Sequence, residues 1–207
     1  MNKIILIGGA PLVGKSYVAE KLSKRFCLPW MSTDLMRDQM IKLVRKKDYP
    51  NLFFYVGANP INYFKKYEAK EIVKHQNKES KDVWKVVKSL IEANKEADYI
   101  WDSFIIEGIA ILPSLAYKFA KSNKNVKVIF LVDYDTKRIR GNVFSRGLWD
   151  YSKRYPDSVK EKEIEWVVEF NQYIEKEAKK YNFPIIHVKN PENLIEEIIK
   201  VTGINNK

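Results

Sequence analysis

Short runs of consecutive apolar residues recur along the chain, and between them apolar positions return every three or four residues. Ile4–Ile7, Leu28–Ser32, Ile100–Ile106, Val126–Val132 and Pro184–Val188 are the runs, and their length and turn-like flanks read as strands. Val18, Leu22 and Phe26 fall at four-residue spacing, one face of a helix beginning near Lys15. Met36, Met40 and Leu43 or Val44 repeat that spacing after the second run. A stripe of Val83, Val86 or Val87, Leu90 and Ile91 predicts a helix before the third. Asn190-Pro191 offers an N-cap and a first-turn proline for a last helix through Val201. Strands too apolar to keep one wet face, alternating with helices, predict an α/β fold: a parallel sheet covered on both sides. Residues 1–207 read as one domain without internal repeats.

Two stretches break the alternation. Residues 49–98 are aromatic and basic, and residues 138–157 are rich in arginine, glycine and aromatics. Both fall where insertions over the carboxyl edge of the sheet are expected, and such insertions cover ligands. Tyr63, Phe64 and Tyr67 either line a pocket there or pack the first insertion. Trp166, Phe170, Tyr173 and Ile174 recur at helical spacing and read as core.

One segment between strand and helix changes the picture. Gly9-Ala10-Pro11-Leu12-Val13-Gly14-Lys15-Ser16 fits the pattern G-x-x-x-x-G-K-[ST], with an apolar strand before it and an amphipathic helix after it. A polyphosphate is held by inward-pointing backbone N–H groups, which a β-carbon at Gly14 would obstruct. The helix N-terminus adds its partial positive charge. Lys15 reaches the β- and γ-phosphates and Ser16 offers a hydroxyl to Mg²⁺. Residues Gly9 through Tyr17 are therefore assigned to a nucleoside triphosphate.

The ends of the other strands supply the rest of a site. Asp34, closing "WMSTD", reads as a base or hydroxyl clamp for a phosphoryl acceptor, or else as a helix cap alongside Ser32 and Thr33. Arg37, one turn on, suits an anionic acceptor or, equally, a solvated surface. Glu107, closing "FIIEG", is the preferred metal acid, and Gly108 beside it leaves room for close approach. Asp133 is the rival, although Asp133 and Asp135 also suit a helix start. Arg138, Arg140 and Arg146 follow the fourth strand as candidates to neutralise charge on a moving phosphoryl group: Arg146 in catalysis, Arg138 on the nucleotide. His75 reads as solvent-exposed and His187 as an edge residue; neither has metal-ligand spacing.

The chain has 37 Lys and Arg against 26 Asp and Glu, a formal net charge of +11. That excess suits an anionic partner, although glutamates lie between the lysines throughout and a solvated surface accounts for much of it. The single cysteine, Cys27, precludes an internal disulfide and reads as a small core residue in a reducing cytoplasm. Ile4–Ile7 is too short for a signal peptide, and no run reaches the length of a membrane span.

With glycine loop, "STDLMR", insertion, "IIEG" and an arginine-bearing lid in this order, the chain resembles the P-loop small-molecule kinases related to nucleoside monophosphate kinases and shikimate kinase. "IIEGIAILP" is similar to the E-G-x-x-x-x-P segment of 2-phosphoglycerate kinases, which often carry histidine where this chain has Ala110. The resemblance implies a three-layer sandwich with a five-stranded parallel sheet in the order 2-3-1-4-5. It further implies an acceptor-binding insert and a lid closing over ATP and Mg²⁺, with the acceptor near Asp34 and Arg37. The reading that follows is an ATP-dependent kinase of a small anionic acceptor, cytoplasmic, monomeric or homodimeric, with no membrane or nucleic-acid partner. A polynucleotide end kinase or nucleic-acid ATPase is the alternative. A GTP switch ranks last, because "NKES" and "NKEA" lack the acid of N-K-x-D.

Overall fold

The computed structural model describes residues 3–96, 101–146, 156–189 and 191–204. Five strands, β1 (Ile4–Gly9), β2 (Trp30–Ser32), β3 (Phe104–Glu107), β4 (Val126–Val132) and β5 (Ile185–His187), form one sheet. All pairings are parallel and the order is β2-β3-β1-β4-β5, as the resemblance implies. Around it lie α1 (Lys15–Phe26), α2 (Thr33–Leu43), a 3-10 turn (Pro50–Phe53), α3 (Pro60–Lys66) and α4 (Ala69–Glu96). The remaining helices are α5 (Pro113–Lys121), α6 (Thr136–Ser145), α7 (Asp157–Lys180) and α8 (Pro191–Thr202). No helix among the described residues is long and apolar enough to cross a membrane.

The unbroken apolar runs have a simple cause. β1 is buried along its whole length between β3 and β4 with helices on both faces, so neither face selects polar residues. Each aliphatic side chain buried in this way contributes about 1.5–3 kcal/mol. β2, at the edge, is short and only partly buried, which limits the unpaired backbone it presents. One continuous core joins the sheet to its helices, and a smaller cluster of Ile139, Val143 and Val167 holds α6 against α7.

The register sets the site. Ile7 pairs with Glu107, and Glu107 with Ser32, so β1, β3 and β2 deliver their carboxyl ends abreast. Ser32 caps α2, its side chain accepting from the Asp34 backbone N–H at 3.2 Å. Beyond β3, Gly108 has φ +146°, and a β-carbon there would stand 1.8 Å from Thr33 Oγ1. The close approach at Gly108 is thus to the first residue of α2.

Several expectations shift. The stretch 49–98 is helical in its described part, and α4 begins at Ala69, well before the apolar stripe that predicts its second half. The cause is that Gln76, Glu79 and Ser80 occupy its buried face, which breaks the hydrophobic period. Val44 packs on the core, whereas Leu43 is exposed. Cys27 is exposed, not core: it ends α1 in the left-handed conformation at φ 52°, a turn position rather than a packing one. His75 is half-buried, its ring 3.9 Å from that of Phe54 and edge-on to Tyr67. Tyr63 and Phe64 are buried within this aromatic cluster, so they pack the insertion. Arg138 and Arg140 lie on helix α6, with Arg146 at its carboxyl cap. Ile100, the rest of the proposed lid (147–155) and the Asn190 cap lie outside the described residues.

Candidate active site

β1 ends at Gly9, the chain turns through Ala10–Gly14, and α1 starts at Lys15. Gly14 has φ +90°, and a β-carbon on it would meet no heavy atom within 4 Å. The positive φ is what calls for glycine within the protein, while the open space beside it is room that an anion can use. The first turn of α1 carries no acid, so its free N–H groups and dipole are left for a ligand. Lys15 is buried and donates from Nζ to the Ala10 carbonyl at 2.6 Å. Burial lowers its pKa, the Glu107 and Asp34 carboxylates push it back up, and Arg146 adds a smaller downward push.

Glu107 is buried at the end of β3 and accepts from Ser16 Oγ at 3.0 Å. Burial raises its pKa, and the Lys15 charge and the Ser16 hydrogen bond oppose that rise. A hydroxyl and a carboxylate in contact at the mouth of this glycine loop are hard oxygen donors of the kind that Mg²⁺ takes. Among the described residues no cluster of three His, Cys, Asp or Glu side chains is placed to hold a metal. A cation here would therefore complete its shell with phosphate oxygens and water, as Mg²⁺ commonly does.

One cavity of about 620 Å³ runs from this loop across α2 to α4. It brings together Pro11, Leu12, Lys15, Ser16 and Glu107 at one end and Asp34 and Arg37 at the other, with Arg146 also on its wall. Since Ser32 serves as the cap, the Asp34 side chain is exposed to the cavity. Asp133, Arg138, Tyr17 and Gly108 are not among its lining residues. Both oxygens of buried Asp133 accept from Arg138, at 2.7 Å each, and Arg138 also donates to the Val188 carbonyl. Tyr17 is exposed beneath Lys21.

The far wall holds residues that periodicity did not single out. Glu79 is 2% exposed. Its Oε1 accepts from Gln76 Nε2 at 3.3 Å and lies 3.6 Å from the Arg37 guanidinium. Burial pushes its pKa up to about 7, against the pull of Arg37. Tyr55 lines the same wall and its hydroxyl interacts with that of Tyr63, which in turn contacts His75 Nδ1 at 3.3 Å. Trp166, expected as core, is buried and also lines the cavity; its Nε1 has no hydrogen-bond partner among the described residues. Stepping the apolar stripe of α4 backwards from Val83 lands on Glu79 and Gln76, and that polar break was the available signal.

A doubly covered parallel sheet in this order, with the glycine loop between β1 and α1, is the fold of the P-loop small-molecule kinases. No family model matches the chain. It is 28% identical over 205 residues to the 2-phosphoglycerate kinase of Methanothermobacter thermautotrophicus, covering 95% of this chain and 64% of that one. It is 27% identical over 184 residues to the 2-phosphoglycerate kinase of Methanocaldococcus jannaschii, covering 88% and 57%. The chain thus spans less than two thirds of the length of these curated relatives. Among solved structures, shikimate kinase from Bacteroides thetaiotaomicron superposes with a TM-score of 0.53 at 12% identity, over 99% of this chain and 100% of that one.

Proposed function

We propose that the chain is an ATP-dependent kinase that transfers the γ-phosphoryl group to an oxygen of a small anionic acceptor, with Mg²⁺ as cofactor. The observation that carries this reading is the single cavity joining the phosphate loop to Asp34 and Arg37. Its likeness to enzymes named 2-phosphoglycerate kinase and shikimate kinase, whose names denote anionic acceptors, supports the same reading. Lys15, with the backbone of Gly9 through Tyr17, binds the phosphates, and Ser16 with Glu107 holds the cation. Mg²⁺ supplies charge neutralisation on the phosphate oxygens when bound. Arg37 orients the acceptor. For a hydroxyl acceptor, Asp34 takes its proton as the oxygen bonds to phosphorus, the bond to the β-phosphate bridging oxygen breaks, and ADP leaves. Arg146 offsets charge on the transferring group. Arg138, paired with Asp133, serves the nucleotide end through the ends of β4 and β5. The pairing of Asp133 with Arg138 favours Glu107 as the metal acid.

The test is ADP formation above an acceptor-free background across a panel of hydroxylated and phosphorylated metabolites. Lys15→Ala and Asp34→Asn should each lower transfer at least about a hundredfold. Unchanged transfer in both would refute the site. Wild-type behaviour of Glu107→Gln beside a failed Asp133→Asn would reassign the metal acid.

A further inference from the structure

Arg37 stands between two acids. Its Nε and one terminal nitrogen bond Asp38 Oδ1 at 3.1 and 2.9 Å, and its other terminal nitrogen lies 3.6 Å from Glu79 Oε1. Asp38 is exposed and keeps its hydration, whereas Glu79 is buried and depends on its neighbours for countercharge. Among the described residues, the groups facing Glu79 are Arg37 and Asp34 of α2, Tyr55, Tyr63 of α3 and Gln76 of its own helix. Arg37 is the one cation among them. Tyr55 and Tyr63 are held neutral by burial, far above the pH of any assay.

We propose that Arg37 is a shared cation: an anionic acceptor draws its guanidinium from Glu79, and Glu79 takes up a proton, so that acceptor binding is proton-coupled. Charge has to balance within a small buried volume. An acceptor anion on the cavity side of Arg37 adds negative charge near Glu79 and weakens its only ion pair among the described residues. A carboxylate left unpaired at this depth is far costlier than a carboxylic acid. The Gln76 contact survives in either state, because an amide N–H donates to a carboxylate or to a carbonyl oxygen. Glu79 Oε2 has no hydrogen-bond partner among the described residues, so a proton placed there displaces no existing bond. Burial already holds this carboxyl at about 7, so the proton is available near neutral pH. Glu79 thereby acts as a positioning residue that selects against acceptors at high pH.

This inference rests on the kinase reading above, and the experiment separates the two. KM for the acceptor is measured from about pH 6 to pH 9 with wild type and Glu79→Gln, using gluconate, shikimate, glycerate and 2-phosphoglycerate as probes. Comparison with the variant cancels titration of the acceptor itself. For whichever probe is phosphorylated, wild-type KM should rise about tenfold per pH unit above about pH 7 relative to the variant, and the two should agree within about twofold at pH 6. Calorimetry in HEPES and in Tris should show close to one proton taken up per acceptor bound at about pH 8, and none with Glu79→Gln. Should the variant not fold, proton uptake by wild type decides alone. A wild-type KM that parallels the variant across the range, or no proton uptake, overturns the coupling while leaving the kinase reading intact. If no probe is phosphorylated, the kinase reading of an anionic acceptor fails and the coupling falls with it.

Discussion

Lys15, Glu107 and Glu79 are all ionisable and almost without solvent, yet they sit in two different balances. Lys15 and Glu107 face each other, so each charge offsets part of the other's loss of hydration. Among the described residues Glu79 has one countercharge, the loose contact with Arg37, beside a hydrogen bond from Gln76, and its carboxyl moves to about 7. Since the folded pKa is raised above the value of about 4.5 in the unfolded chain, the native state binds more protons between those values. Stability attributable to Glu79 is therefore full below about pH 4.5 and declines as pH rises to about 7, with no further loss above that. The decline is on the order of 3 kcal/mol. Glu79→Gln, which keeps the shape without the charge, should be more stable than wild type at pH 8 by up to that amount and equal to it near pH 4. Urea unfolding at the two pH values checks this; a variant less stable at pH 8 would contradict it.

At the scale of elements, joints between strand ends and helices hold the site in place. Gly108 lets α2 press its first residue against the end of β3. Gly108→Ala brings a β-carbon to 1.8 Å from Thr33 Oγ1 at a φ of +146°. Backbone strain and overpacking together should cost at least about 2 kcal/mol, read as a lower urea midpoint at unchanged m-value. A second joint ties β4, α6 and the residue after β5 through Asp133, Arg138 and the Val188 carbonyl. Arg138→Leu strands a buried carboxylate and should destabilise by about 3 kcal/mol, the low end for a broken buried pair because Arg138 is partly exposed. Asp133→Asn should cost less, since an amide oxygen still accepts from Arg138. Equal stability of Arg138→Leu and wild type would show that water already reaches Asp133. These joints also explain what was legible in the chain. β1 and β4 declared themselves because both faces of each are buried. The start of α4 did not, because Gln76, Glu79 and Ser80 interrupt its buried face between Ile72 and Val73 and the later apolar stripe, and Gln76 and Glu79 line the cavity.

Over the whole molecule, the glycine-loop end of the cavity was readable because its parts are contiguous, Gly9 to Ser16, and backed by one strand end. The opposite end, which we propose takes the acceptor, was only half readable. Asp34 and Arg37 share one helical turn, but Tyr55, Glu79 and Trp166 reach the cavity from three further parts of the chain, and their pairing exists only in the fold. Net charge works at this larger scale too. Many lysines pair with acids three or four residues away, such as Lys24–Glu20, Lys88–Glu92, Lys162–Glu165 and Lys179–Glu175, so the +11 excess is spread over a mixed surface. A diffuse positive field speeds encounter with any small polyanion but gives no track for a long one. Raising ionic strength from about 20 to 300 mM shortens the screening length from roughly 20 to under 6 Å. It should therefore lower kcat/KM for ATP several-fold while leaving kcat unchanged, because encounter is screened and the buried contacts of Lys15 are not. Single-stranded oligonucleotides added at low salt should fail to stimulate ADP formation. Stimulation by them, together with binding that falls steeply with the logarithm of salt concentration, would instead assign the basic surface to a nucleic acid.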